Sequence, residues 1–280
     1  MPEDRMARLG QVIGDRFRID GAIGRGAMAE VYRALDLQTS AYVALKILRH
    51  TAVEDSVSLA RFAREAEVQA KLRHRNVAAL LATGVTDKHE PYLALELLRG
   101  KSLRSVLKAE GHIPARRAAS YAFQALHGLA AVHAAGVLHR DLKPANIMLE
   151  PSPGPVERVV LIDFGFATFE GSAKLTLQGT VVGSLTYIAP ERLRGEPTDQ
   201  RADLYAIGVI LFELLAGRPP FTADDDFDLI AQHLDIDPPH LASPLDAVIA
   251  RALHKQPAER YADALEMAAG LELAAQQLSD

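Results

Sequence analysis

His139-Arg140-Asp141-Leu142-Lys143-Pro144-Ala145-Asn146, followed farther along by Asp163-Phe164-Gly165, is the stretch that decides how this chain reads. The first run places a carboxylate (Asp141), a cation two residues on (Lys143) and an amide (Asn146) in one short segment, and the second adds the carboxylate of Asp163. Phosphoryl transfer asks a protein for little covalent chemistry. It needs a group that orients the attacking hydroxyl, and positive charge on the transferring phosphate. The two runs supply such groups. Single Asp or Asn residues in loops are ordinarily turn formers, but that does not account for four polar groups in this order.

The bulk numbers bound the remaining classes. The chain has 280 residues, 49% hydrophobic and 24% charged, the balance of a soluble globular protein of one large domain or two small ones. A net charge of -5 offers no general basic field for nucleic acid or an acidic membrane. No cysteine is present, which excludes disulfides, thiolate metal sites and thiol catalysis, and suits a reducing compartment. Residues 1–11 carry Glu3, Asp4, Arg5 and Arg8 and no apolar run, so they do not read as a signal peptide. The greasiest stretch, 206–215, is short and contains Glu213, which predicts a buried helix and not a membrane span. A soluble, cytoplasmic protein is the expectation.

Periodicity divides the chain into two parts. Residues 17–34 read as strand, glycine turn and strand, 41–48 as a third strand, and 78–84 and 92–97 as two more. Between them, 59–72 place Leu59, Phe62, Ala66, Gln69 and Leu72 on one helical face. Long helical patterns follow at 115–135, 203–215, 226–233, 244–253 and 262–278. Residues 150–158, with Pro151, Pro153 and Pro155, read as an enlarged hairpin turn between strand-like sequences. The expected fold class is α+β: a small five-stranded antiparallel sheet with one helix at 16–98, a larger mainly helical lobe at 99–275, and a flexible segment at 1–15.

Taken together, the two opening runs make the chain resemble the eukaryotic-like (Hanks-type) serine/threonine protein kinases, bacterial members in particular. The resemblance spans nearly the whole chain and implies a single bilobal kinase domain at 16–275. A Gly-x-Gly alone is weak, because glycine serves many turns. Gly24-Arg25-Gly26-Ala27-Met28-Ala29-Glu30-Val31 matters through its place shortly before Val43-Ala44-Leu45-Lys46. There it implies a loop whose backbone approaches the phosphates of ATP, with Ala29 where the family's third glycine stands. Lys46 lies mid-strand, where a lysine is costly unless paired or at a surface. The bland alternative is an edge-strand charge that discourages aggregation. The resemblance implies a cation on the α- and β-phosphates, held by a helix carboxylate. Of Glu65 and Glu67, the inward helical face selects Glu65. The resemblance further implies backbone contacts from Glu96 and Leu98 to adenine, Leu95 behind it, and Ile23, Val31, Ala44 and Met148 about the ring.

By the same resemblance Asp141 is the base, Lys143 stabilises charge on the γ-phosphate, and Asn146 and Asp163 hold Mg²⁺, with Mn²⁺ able to replace it. Lys143 points to the serine/threonine branch. Tyr187-Ile188-Ala189-Pro190-Glu191 implies a structural ion pair between Glu191 and Arg260. Asp203 matches the aspartate that braces the catalytic loop, Ser184 a position near the base, and His139, Phe164 and Gly165 the structural parts of the two runs. Arg140 before Asp141 implies control by phosphorylation of the activation loop at Thr176 or Thr180, with Ser172 and Thr168 behind them. Protein Ser/Thr acceptors, ATP and a transient homodimer for trans-autophosphorylation are the implied partners, without nucleic acid. Two alternatives remain: a pseudokinase scaffold, and a small-molecule kinase on the same fold. Lys46, Asp141 and Asp163 all being present weighs against the first, and Ala189-Pro190-Glu191 against the second. The run 223–228, rich in aspartate, lacks the glycine turn and closing glutamate of a calcium loop. His127 and His133 read as packing or surface residues, and Lys71, Arg73 and Arg75 as charges suited to a helix C-terminus. The sequence leaves open whether the chain is free-standing or part of something longer.

Overall fold

In the computed structural model, residues 8–26, 28–154, 156–163 and 185–278 are described. The chain forms two compact units, Met1–His74 with Ala78–Arg99, and Arg75–Val77 with Gly100–Asp280.

The first unit contains β1 (Val12–Ile13), β2 (Phe17–Arg25), β3 (Ala29–Asp36), β4 (Tyr42–Leu48), α1 (His50–Val53), α2 (Ser56–Lys71), β5 (Leu80–Val85) and β6 (Pro91–Glu96). Its antiparallel sheet has six strands in the order β1-β2-β3-β4-β6-β5, one more than the five expected. The extra strand is β1, paired Val12 to Arg18 and Ile13 to Phe17, so part of the leading segment read as flexible is tied to the sheet. Strand alternation separates two cores. Phe17, Ile19, Tyr32, Ala34, Val43, Leu45, Ile47, Tyr92 and Ala94 pack on one face. On the other, Phe62 of α2 packs with Leu48, Leu80 and Leu93. Asp55 starts α2 by accepting the N–H groups of Val57 and Ser58 at 3.2 and 3.1 Å, the role of an N-cap carboxylate.

The second unit contains β7 (Lys101–Ser102), α3 (Leu103–Glu110), α4 (Ala115–Ala134), β8 (Ile147–Glu150), β9 (Arg158–Leu161), α5 (Pro190–Arg194), α6 (Arg201–Ala216), α7 (Asp226–Asp235), α8 (Asp246–Ala252) and α9 (Ala264–Ala275). Strand β8 lies between β7 and β9 and pairs antiparallel with β9 from Ile147 opposite Leu161 to Glu150 opposite Arg158, so the two strands form a hairpin. Helix α6 is buried from Ala202 to Leu214 and forms the axis of the core, with Leu126 and Leu129 of α4 and Met267 and Leu271 of α9 in the same cluster. Asn76 joins this unit by donating to Val159 O at 2.7 Å and accepting from Leu161 N at 2.9 Å. No helix among the described residues is long and apolar enough to cross a membrane.

Candidate active site

In the first unit, strand β4 sends Val43, Leu45 and Ile47 into the core, and therefore sends Ala44 and Lys46 to the opposite face. Lys46 Nζ donates to Glu65 Oε1 of α2 at 2.7 Å, with both side chains largely covered. Glu67 points away and pairs with Arg64 at 3.2 Å on the exposed side. Register places Val31 opposite Lys46, and Ala44 opposite Leu95. Val31, Ala44 and Leu95 are half-buried, whereas Ile23 is 54% exposed. Glu96 donates its N–H to Ala79 O at 2.9 Å, and Leu98 is half-buried just beyond the strand.

The glycine loop begins at the end of strand β2 and leads into β3. Neither Gly24 nor Gly26 has a left-handed φ, and a Cβ at Gly24 would meet nothing within 4 Å. Among the described residues, then, no neighbour requires glycine at 24. Gly26 donates its N–H to Ala29 O at 2.8 Å. Arg25 Nε lies 3.3 Å from Glu30 Oε1. Ala27 lies outside the described residues.

In the second unit, the segment from His139 to Asn146 runs between α4 and β8. Lys143 Nζ donates to Asp141 Oδ1 and Oδ2 at 2.9 and 2.8 Å. Asn146 Nδ2 donates to the Asp141 carbonyl and to Asp141 Oδ2, both at 2.8 Å. With Nδ2 so engaged, the amide orientation is fixed and Oδ1 is the oxygen suited to a hard cation. Asp163 stands two residues beyond β9 with φ +52, and Arg140 has φ +64. These non-glycine residues hold left-handed backbone, which surrounding structure must enforce.

Asp203, in the first turn of α6, supplies part of that enforcement. Its Oδ2 accepts the N–H of His139 at 2.8 Å and its Oδ1 that of Arg140 at 2.9 Å. Burial works to raise the Asp203 pKa, but the bond from His133 and the charges around it prevail and hold it below the ordinary carboxylate range. His133 Nε2 lies 2.8 Å from Asp203 Oδ2, so His133 is not a mere packing or surface residue as its sequence context suggested. His139 is fully buried, and desolvation pulls its imidazole pKa down. Farther along, Arg260 donates to Glu191 through Nη1 and Nη2 at 2.8 and 2.7 Å, with both side chains almost wholly inaccessible. Met148 lies half-buried on β8 opposite Val160. Phe164, Gly165, Thr168, Ser172, Thr176, Thr180 and Ser184 lie outside the described residues.

Three groups escaped the sequence reading. Glu213, within α6, accepts from Tyr187 Oη at 2.6 Å and from Arg104 Nη1 at 2.8 Å. A carboxylate inside a greasy helix requires partners, so Glu213 carried a usable signal. His133 and Arg192, which donates to the Arg140 carbonyl at 2.7 Å, carried none. The aspartate-rich run turns out to begin α7, with Asp225 capping it by accepting Asp228 N at 2.9 Å. No group of three or more His, Asp or Glu among the described residues has the arrangement of a metal site.

The model of the protein kinase domain family matches residues 17–269. The chain belongs to the protein kinase family. This kinase domain is 38% identical over 276 residues to a probable serine/threonine-protein kinase PknB of Corynebacterium glutamicum, covering 93% of the chain and 42% of that protein. It is 36% identical over 275 residues to the serine/threonine-protein kinase PknL of Mycobacterium tuberculosis, covering 96% and 68%. A crystal structure of the PknI kinase domain of M. tuberculosis, a double mutant, superposes with a TM-score of 0.74 at 27% identity, covering 95% of this chain and 98% of that one. The bilobal α+β kinase fold follows from these matches. The kinase domain spans 42% of the length of the PknB relative. Family membership implies ATP and a divalent metal in general terms.

Proposed function

We propose that the domain, within 16–275, is a serine/threonine protein kinase that transfers the γ-phosphate of ATP to protein Ser and Thr hydroxyls. The observation that carries the reading is the cluster on Asp141: a carboxylate held by Lys143 at 2.9 and 2.8 Å and by Asn146 at 2.8 Å, next to a left-handed Arg140. Asp141 would orient the acceptor hydroxyl and take its proton, and Lys143 would offset charge on the γ-phosphate. Lys46, kept in place by Glu65, would bind the α- and β-phosphates. Val31, Ala44, Met148 and Ile23, with backbone groups of Glu96 and Leu98, would hold adenine. When bound through Asn146 and Asp163, Mg²⁺ or Mn²⁺ would supply the remaining neutralisation of phosphate charge.

Phosphorylation of Thr176 or Thr180, by a second copy in a transient homodimer, would provide control through Arg140. The cytoplasm, where ATP and protein acceptors occur together, suits a chain without cysteine. The test is transfer of label from γ-labelled ATP to a generic protein substrate, with phosphoamino-acid analysis. Label on serine and threonine supports the reading. Label on tyrosine alone, or on small hydroxylated acceptors and not on protein, refutes it. Binding of ATP without transfer would make the domain a scaffold.

A further inference from the structure

The peptide groups leading into Asp141 are held from two sides. Asp203 takes the N–H groups of His139 and Arg140, and Arg192 Nη1 donates to the Arg140 carbonyl at 2.7 Å. Arg140 is the residue with φ +64, so the peptide groups on both sides of a left-handed residue are clamped immediately before the carboxylate. Arg192 is itself well placed. It follows Glu191, whose carboxylate is locked to Arg260, and its own N–H donates to Ala189 O at 3.0 Å. Arg192 lines a small cavity of about 20 Å³ together with Asp141, Lys143 and Asp203. Burial pulls its pKa down and Asp203 pushes it back up, yet an arginine stays charged at any working pH. A charged group kept in such a place is costly unless its bonds are needed.

We infer that Arg192 is a positioning residue for phosphoryl transfer: its bond to the Arg140 carbonyl fixes the turn that aims the Asp141 carboxylate at the acceptor hydroxyl. The inference rests on the reading of Asp141 as the group that orients that hydroxyl. It adds a tie between α5 and the catalytic segment that the family's motif residues do not include.

The test compares wild type with R192M, which keeps the stem but removes donor and charge, and with R192K, which restores both. With Mg-ATP and a generic protein substrate, R192M should lower kcat about 10- to 100-fold and leave KM for ATP within about twofold, and R192K should recover most of the loss. Amide hydrogen exchange at 139–143 should quicken about 10-fold in R192M while α6 stays protected. Unchanged exchange at 139–143 overturns the anchor, whatever the activity. A kcat within twofold of wild type, or a loss that R192K does not recover, overturns the role in transfer. A general loss of protection through α6 makes Arg192 a structural residue and overturns it also. A wild type that transfers nothing while R192M still loosens 139–143 would remove the transfer reading and leave the anchor standing.

Discussion

Lys46 shows how much one side chain can say. A cation in the middle of strand β4 is unfavourable by several kcal/mol unless paired, and Glu65 at 2.7 Å supplies the pairing. The choice of Glu65 over Glu67 was legible because helical geometry puts only one of them on the inward face. Lys46→Met should reduce turnover about 10²- to 10³-fold, the usual loss when one preorganised donor to a developing charge is removed. Steady-state assay below the melting range of the variant checks this. The melt should fall as well, because the change leaves the Glu65 carboxylate covered without the Lys46 cation. The Glu191–Arg260 pair behaves differently, because both groups are inaccessible. Glu191→Gln leaves the arginine buried and unbalanced and should destabilise the fold by about 3–5 kcal/mol in urea titration. Both members were recognisable from motif position. His133 was not, because a histidine near a helix end has many uses and its partner, Asp203, is 70 residues away.

The elements that sequence missed are those made by their neighbours. Strand β1 has only Val12 and Ile13 and exists through its pairing with β2. Helix α3 spans two turns, too short for a periodic signal, although Ser102 caps it by accepting Ser105 N at 3.2 Å. Gly100 precedes them at a tight approach, where a Cβ would stand 1.8 Å from Leu149 O. Gly100→Ala should therefore cost about 2 kcal/mol or more through backbone displacement, measurable as a lower urea midpoint with unchanged slope.

Helix α7 gives a pH signature. His233 is buried beside Tyr205, with Nδ1 2.8 Å from the hydroxyl, and desolvation, aided by the Lys255 charge, pulls its pKa from 6.5 down to about 4. The unfolded chain thus binds a proton that the folded one refuses between these values. His233 contributes its full stability above pH 6.5, and that contribution is lost as pH falls toward 4. The loss should amount to about 3 kcal/mol. Between pH 6.5 and 4 the unfolding free energy of wild type should fall by about this much more than that of His233→Asn.

For the molecule as a whole, the fold was legible because two independent signals agreed: strand periodicity giving way to helix periodicity, and a motif set in fixed order across both halves. Residues 17–269 carry the family match, nearly the span the motifs marked out. What lay beyond reach was the support around the catalytic segment, the bond of His133 to Asp203 and the clamp from Arg192, since long-range partners leave no local pattern. The central claim is transfer of phosphate to protein hydroxyls by way of Asp141. The most direct measurement is an intact-mass phosphate count, with site mapping, on purified wild type and Asp141→Asn after incubation with Mg-ATP and a generic protein substrate. The account expects phosphate on serine and threonine in the wild-type reaction and none with Asp141→Asn. Equal phosphate in both reactions, or none in either despite bound ATP, would contradict it.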